Sequence, residues 1–211
     1  MLPFSLPIFP LPNVVLFPNV FLPLHIFEPR YRQMVADALA GDRIIGMTLL
    51  RPGYEDHYEG SPPIYQLGCS GLITHAEKLE DGRYNVVLRG LEKFSIRDEE
   101  APAIGRLYRT AVISPIHDAL RERERDELRR LRKTLTTLLG PMLSDPLEQR
   151  LPDAMPDEDL VNALAQYLEF EPIEKLALLE QDGPLARCRS LVELLEIKAM
   201  HPPGAEPGRV H

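Results

Sequence analysis

Phe21, Phe27, Glu28, Arg30 and Tyr31 bring three aromatic rings, a carboxylate and a guanidinium into one short stretch, FLPLHIFEPRY. Side chains of this kind hold a partner rather than transform it: the rings offer apolar area, and the polar tips orient a chain at a rim. Two readings of the same residues stay open. Phe4, Phe9, Phe17, Phe21 and Phe27 all precede Glu28, and most phenylalanines are core residues, but covering all of them requires two sheet faces, and one or two are free to line a groove. Glu28, Arg30 and Arg32 either cap the helix that comes after them and pair locally or orient a bound peptide. His25 is read as a structural histidine with a satisfied hydrogen bond, against the alternative of a contact-surface role.

Reactive constellations are missing. A phosphate-binding loop needs glycine-rich backbone amides leading into Gly-Lys-Ser/Thr, and no glycine here is followed by lysine. The histidines His25, His57, His75, His117, His201 and His211 lack the spacing of a zinc site, and Cys69 and Cys188 stand far apart without metal-ligand spacing. Both cysteines are expected to be buried free thiols. No catalytic residue, cofactor or metal is expected. The net charge of −8 opposes a polyanion-binding surface. The apolar N-terminus lacks a basic leader and is interrupted by prolines, so it reads as mature structure. With no run of roughly 20 apolar residues, the chain is expected to be cytoplasmic.

The elements that position these residues follow from periodicity. Pro3, Pro7, Pro10, Pro12, Pro18 and Pro23 forbid a helix in the first apolar run. It must be extended, with strands expected at Val14–Phe17 and Val20–Leu22. Glu28-Pro29 then opens a helix near 29–40, carried by Tyr31, Met34, Val35, Ala38 and Leu39 and closed by Gly41. Arg43–Leu50 reads as a buried strand in which Gly46 marks a bulge or a close backbone approach. Arg51–Pro63 is a loop whose length and aromatic-acidic mixture suggest a recognition lip or a solvated excursion. Asp81-Gly82 is a hairpin signal; Tyr84, Val86 and Leu88 alternate with Asn85, Val87 and Arg89, and further strands come at Phe94–Ile96 and Ile104–Ile113. From Asp118 the pattern turns helical, with Leu128, Leu131, Leu135 and Leu138 forming a stripe on a charged helix expected to pack within its own chain. Three shorter helices begin near Asp157, Glu171 and Asp182. The expected class is α+β: a mostly antiparallel, twisted barrel-like β subdomain over 1–114, a helical subdomain of four helices over 115–200, and a disordered tail over 201–211.

FPLPNVVLFP, LPLHIFEPRYRQMV, GCSGLI and DGRYNVVLRG, in this order across roughly residues 5–110, resemble the N-terminal domain of the Lon protease family. The helical remainder resembles that family more weakly. The resemblance implies a PUA-like β subdomain followed by helices, used in full-length Lon to engage substrate proteins, and kinship with the corresponding domain of cereblon. The CxxC pairs of cereblon-like zinc-bearing domains are absent, so that ligand site is not carried over. Lys78, Lys93, Lys133, Lys175 and Lys198 do not stand in the family's ATPase or Ser-Lys peptidase motifs. The resemblance therefore implies a stand-alone, non-enzymatic module that binds unfolded or extended polypeptide segments, in association with a protease or chaperone system, through an apolar groove on or beside the β subdomain; whether a deep apolar pocket opens next to residues 17–31 is the observation that bears most on it. Phe21 and Phe27 are its candidate anchors and Glu28, Arg30 and Tyr31 its polar handles. An RNA-binding PUA-like module and a small-molecule-sensing domain are the rival readings, because a fold does not set a function.

Overall fold

The computed structural model describes residues 2–54, 61–100, 103–140 and 155–200. Its sheet order is β2-β5-β4-β3-β1-β6, with β6 also pairing back onto β5. The strands are β1 (Ser5–Leu11), β2 (Phe21–Ile26), β3 (Ile44–Leu50), β4 (Ile64–Lys78), β5 (Tyr84–Glu100) and β6 (Arg109–Ile116). β5 is long enough to serve two neighbours on one side. Its first half, 84–89, pairs with β2, and its second half, 93–100, pairs with β6. The ring β1-β3-β4-β5-β6 therefore closes, while β2 stays outside it as a strand paired only to β5. The class is α+β, with one departure from an all-antiparallel sheet: β1 and β3 run parallel.

Alternation sets the faces. Tyr84, Val86, Leu88, Phe94 and Ile96 of β5 are buried, whereas Arg89 and Arg97 are exposed, as period-2 patterning requires. One cluster joins Leu6 and Ile8 of β1 to Leu50, Ile64, Phe94, Ile96, Ala111 and Ile113. Each large apolar side chain of this kind, fully buried, contributes about 1.5–3 kcal/mol. Gly46 sits where a Cβ would lie 2.9 Å from the Phe94 ring and 3.0 Å from Ile8, so it is a close approach rather than a bulge. The β4–β5 connection turns at Asp81-Gly82, with Gly82 at φ +81° and the Asp81 carboxylate accepting the Arg83 N–H at 3.0 Å.

The first apolar run departs from the sequence expectation. Its strand is Ser5–Leu11, and Val14–Phe17 is largely buried but irregular. Two prolines are tolerated in β1 because β6 pairs with 5–8 and β3 with 8–11; Pro7 and Pro10 each lie where only one flank is paired, so a missing N–H facing the open side costs no ladder bond. The end of Val14–Phe17 is held by distant side chains rather than by a strand partner. Gln166 Oε1 accepts the Phe17 N–H at 3.0 Å, and Asn162 Nδ2 donates to the Pro18 carbonyl at 3.0 Å. Asn19 turns the chain at φ +61°, and its N–H donates to the Gly90 carbonyl at 2.9 Å. Gly90 is required there: a Cβ would meet the Phe17 carbonyl oxygen at 2.0 Å.

The helices are α1 (Pro29–Ala40), α2 (Arg125–Leu139, after a 3₁₀ turn at Glu122–Glu124), α3 (Asp157–Tyr167), α4 (Pro172–Glu180) and α5 (Gly183–Met200). Two compact units result; the first boundary, after Asp118, falls close to the expected cut near residue 115, but a later segment crosses back. One comprises the chain to Asp118 together with Asn162–Glu180; the other comprises the described parts of Ala119–Val161 and Gln181 onward. The second half of α3 and all of α4 thus belong with the β-rich unit, since Asn162 and Gln166 satisfy its backbone. In the second unit α2 packs on α5, burying Leu128, Leu135 and Leu139 of the charged helix and Cys188, Leu191 and Leu195 of its partner. Arg189–Glu127 at 2.5 Å and Arg132–Asp157 at 2.7 Å tie its surface. Among the described residues no helix is long and apolar enough to cross a membrane. The expected tail at 201–211, the connector at 141–154 and the loop tip at 55–60 lie outside the described residues.

Candidate functional site

β2 ends where α1 begins, and this junction forms one wall of a cavity of about 650 Å³ in the β-rich unit. Leu24, Ile26, Phe27, Glu28 and Tyr31 line it from that side. Phe9, Leu11 and Pro12 line it from the end of β1, and Leu49, Leu50, Arg51, Pro52, Tyr54 and Tyr65 from β3, the loop after it and β4. Glu171, Pro172 and Ile173 close it from the start of α4. The walls are overwhelmingly apolar. β1 and β2, which both line the cavity, are not hydrogen-bonded neighbours. Phe27, Tyr54 and Ile173 are solvent-exposed on its rim, at 60%, 43% and 52% of their full area, whereas Phe9 and Tyr31 lie buried with ring centroids 4.3 Å apart.

The polar groups at the cavity are engaged with their neighbours. Arg30 Nε donates to the Glu28 carboxylate at 3.0 Å, and the Arg30 guanidinium lies 4.6 Å from the Tyr31 ring. Glu28 occupies the N-cap position of α1 without a side-chain capping bond. The Arg51 guanidinium sits 5.3 Å from the Tyr65 ring. His25 turns its ring toward β5: the Nδ1–H donates to Asn85 Oδ1 at 2.8 Å, while Nε2 accepts from Arg83 at 3.3 Å. Both ring nitrogens are thus hydrogen-bonded, while His25 is exposed and also stands on the cavity lining.

Among the sequence-derived candidates, Phe27, Glu28 and Tyr31 meet on the cavity wall. Phe21 does not; it is half-exposed at the far end of β2, where its carbonyl accepts from Gln166 Nε2 at 3.0 Å and from the Tyr167 hydroxyl. Arg30 faces a second cavity of about 460 Å³, on the other side of Tyr31, with Glu99, Glu100, Arg106 and Arg109. Leu24, Leu49, Tyr65 and Ile173 are cavity residues that residue-by-residue reading passes over, whereas Phe9 stands among the phenylalanines free to line a groove. Only Leu24 and Ile26 carried a signal, since alternation in FLPLHI places them on one face; Ile173 is brought in by a helix about 150 residues downstream.

Neither cysteine is poised as a nucleophile. Burial and nearby Asp157 push the Cys188 thiol up to about 12, so it stays protonated and unreactive. Cys69 is buried, its thiol 3.5 Å from the Ser70 carbonyl. The described residues hold no group of three His, Cys, Asp or Glu side chains able to bind a metal.

A mixed six-stranded sheet with an apolar cavity at the edge of its outermost strand defines an α+β domain. Residues 5–196 match the ATP-dependent protease La (LON) substrate-binding domain, and the chain belongs to that family. It is 27% identical over 203 residues to Lon protease 1 of Herpetosiphon aurantiacus, covering 92% of this chain and 24% of that relative. Lon protease 2 of Syntrophobacter fumaroxidans is 35% identical over 98 residues, covering 46% of this chain and 12% of its own length. The chain thus spans about a quarter of the length of the curated relatives it matches along most of its length. Among solved structures, a Lon N-terminal domain protein from Xanthomonas campestris superposes with a TM-score of 0.63 at 25% identity, covering 90% of this chain and 97% of that one. The N-terminal domain of a Mycobacterium avium complex Lon protease shares the fold at a TM-score of 0.64 and 17% identity, covering 91% and 98%.

Proposed function

We propose that the β-rich unit receives extended apolar polypeptide, a substrate segment presented to a proteolytic system, by taking one or two large side chains into the cavity between β1 and β2. The observation that carries this reading is an apolar chamber of about 650 Å³ whose rim exposes Phe27, Tyr54 and Ile173. Exposed aromatic and aliphatic groups around a concavity mark interaction sites, and the chamber falls in the size range of ligand pockets, roughly 300–1,000 Å³. The family's description as a substrate-binding domain supports the same reading. The role is recognition without catalysis, since the sequence contains no Gly-Lys phosphate-binding signature. RNA is disfavoured because Glu28 and Glu171 on the walls outnumber the single guanidinium, Arg51. The chamber's volume also suits a small molecule, which is the second reading.

The test is fluorescence anisotropy with unstructured labelled peptides, the fold of each variant being checked by circular dichroism. Phe27→Ser should weaken binding about tenfold, the loss expected of an exposed anchor. Phe21→Ser should leave affinity unchanged, because Phe21 lies off the cavity. Raising salt should change little, since apolar transfer is weakly screened. Tighter, steeply salt-dependent binding of RNA oligomers, or thermal stabilisation by metabolites with none by peptides, would reassign the site.

A further inference from the structure

We infer that the cavity's occupant enters as an added β-strand, hydrogen-bonded to the outer edge of β2 at His25; this rests on the peptide-receptor reading above. The direction of each β2 peptide group can be read from its partners. The Val20 carbonyl accepts from the Gly90 N–H at 2.9 Å, toward β5, whereas the Phe21 carbonyl accepts from Gln166 and so points away from β5. In an antiparallel ladder the two backbone groups of one residue point to the same side and successive residues alternate. Phe21, Pro23 and His25 therefore turn their backbone outward, and Leu22, Leu24 and Ile26 turn theirs to β5.

The outward groups are unequal. α3 occupies the Phe21 end through Gln166 and Tyr167. Pro23 has no N–H to give. The His25 N–H and C=O remain, bonded to no backbone or side chain among the described residues, while the His25 ring is held toward Asn85 and Arg83 on the sheet's outer face. This open edge borders the cavity, which Leu24 and Ile26 line from the same strand. An unpaired edge is a template for an incoming extended chain. A partner residue opposite His25 exchanges two hydrogen bonds with it, and the next outward-matched amide reaches the Pro23 carbonyl. The side chains on either side of that residue then fall on the face of Leu24 and Ile26, into the cavity. The occupant is thus an extended peptide of alternating character: apolar residues enter the chamber, and the amides of the intervening residues bond to the edge. Pro23 argues for a short peptide over a second copy of this chain, because an edge with one donor between Phe21 and Ile26 rewards long strand-to-strand pairing poorly.

The experiment uses the whole chain and a fluorescein-labelled peptide with a central Phe-Thr-Phe-Thr-Phe tract in Gly-Ser flanks, N-methylated at one residue at a time. Methylation of a threonine amide should weaken binding about tenfold or more, the effect of leaving a desolvated backbone acceptor without its donor; methylation of a phenylalanine amide should change it less than about threefold. The protein itself is unaltered, so no failure of folding intervenes. A flat methylation profile with affinity still lost in Phe27→Ser overturns strand addition and leaves the receptor reading standing. Failure of the unmethylated peptide to bind overturns both. Sedimentation showing a dimer that peptide cannot displace assigns the edge to a second copy and also overturns the proposal.

Discussion

Tyr31 lines two cavities, and the chemistry of their walls differs. On one side the chamber of β1, β2 and α4 is lined mainly by apolar side chains. On the other, Arg109 pairs with Glu99 and donates to the Pro62 carbonyl at 2.8 Å, Ser5 Oγ donates to Glu100 at 2.7 Å, and the Tyr108 hydroxyl donates to Asp37 at 2.9 Å. The second cavity is rich in polar groups, but they are spent on one another; a ligand there would have to displace bonds already made. An apolar wall has no such partners to lose, and water is the only thing displaced from it. Polar density therefore goes with structural support here, and the apolar cavity is the one to which the proposed peptide binding is assigned.

That contrast can be broken at its strongest point by placing a charge in the apolar chamber. Ile173→Arg, at an exposed position on α4, should leave the fold intact and weaken peptide binding more than about tenfold, since a guanidinium among apolar walls must be desolvated; unchanged anisotropy titrations would show that α4 is not part of the site. A smaller effect is expected across Tyr31. Arg109→Ala should lower the unfolding free energy by about 1 kcal/mol, modest because the Glu99 side chain is 44% exposed, while peptide affinity stays within about twofold. Parallel urea melts and titrations separate the two quantities, and loss of affinity would mean that the polar cavity takes part in recognition. The smallest effect is a pH dependence. Hydrogen bonds from Ser5 and Thr110 hold the Glu100 carboxyl below its ordinary value of 4.5. A carboxyl lowered in the folded state adds stability above that value and loses it as pH falls through its folded pKa. Mild acid should therefore erode wild-type stability slightly more than that of Glu100→Gln, with no difference in peptide affinity measured above that range.

The local grammar of the chain was legible where short-range physics decides it. Glu28-Pro29 starts α1, Asp81-Gly82 turns β4 into β5, and the leucine stripe of α2 finds a helix of its own chain, as a proline in the first helical turn, turn geometry and periodicity require. Val14–Phe17 was not legible. Its composition is that of a strand, but its end is held by side chains about 145 residues away, Gln166 accepting the Phe17 N–H and Asn162 donating to the carbonyl of the next residue, Pro18, and no local pattern encodes a partner at that distance. The same reason divides the candidate site. Phe27, Glu28 and Tyr31 stand together because they are sequence neighbours around a helix start, and the amino acids alone determine that much. Phe21 and Arg30 leave the group because strand alternation and helix rotation aim neighbours in different directions, and Phe9, Leu49 and Ile173 join it only when β1, β3 and α4 converge. The sequence determined a charged, mixed α+β chain with an aromatic cluster at its first helix. Which of its apolar residues became core and which became a cavity was decided by tertiary structure, because a vacancy is a property of the space between elements and not of any residue in them.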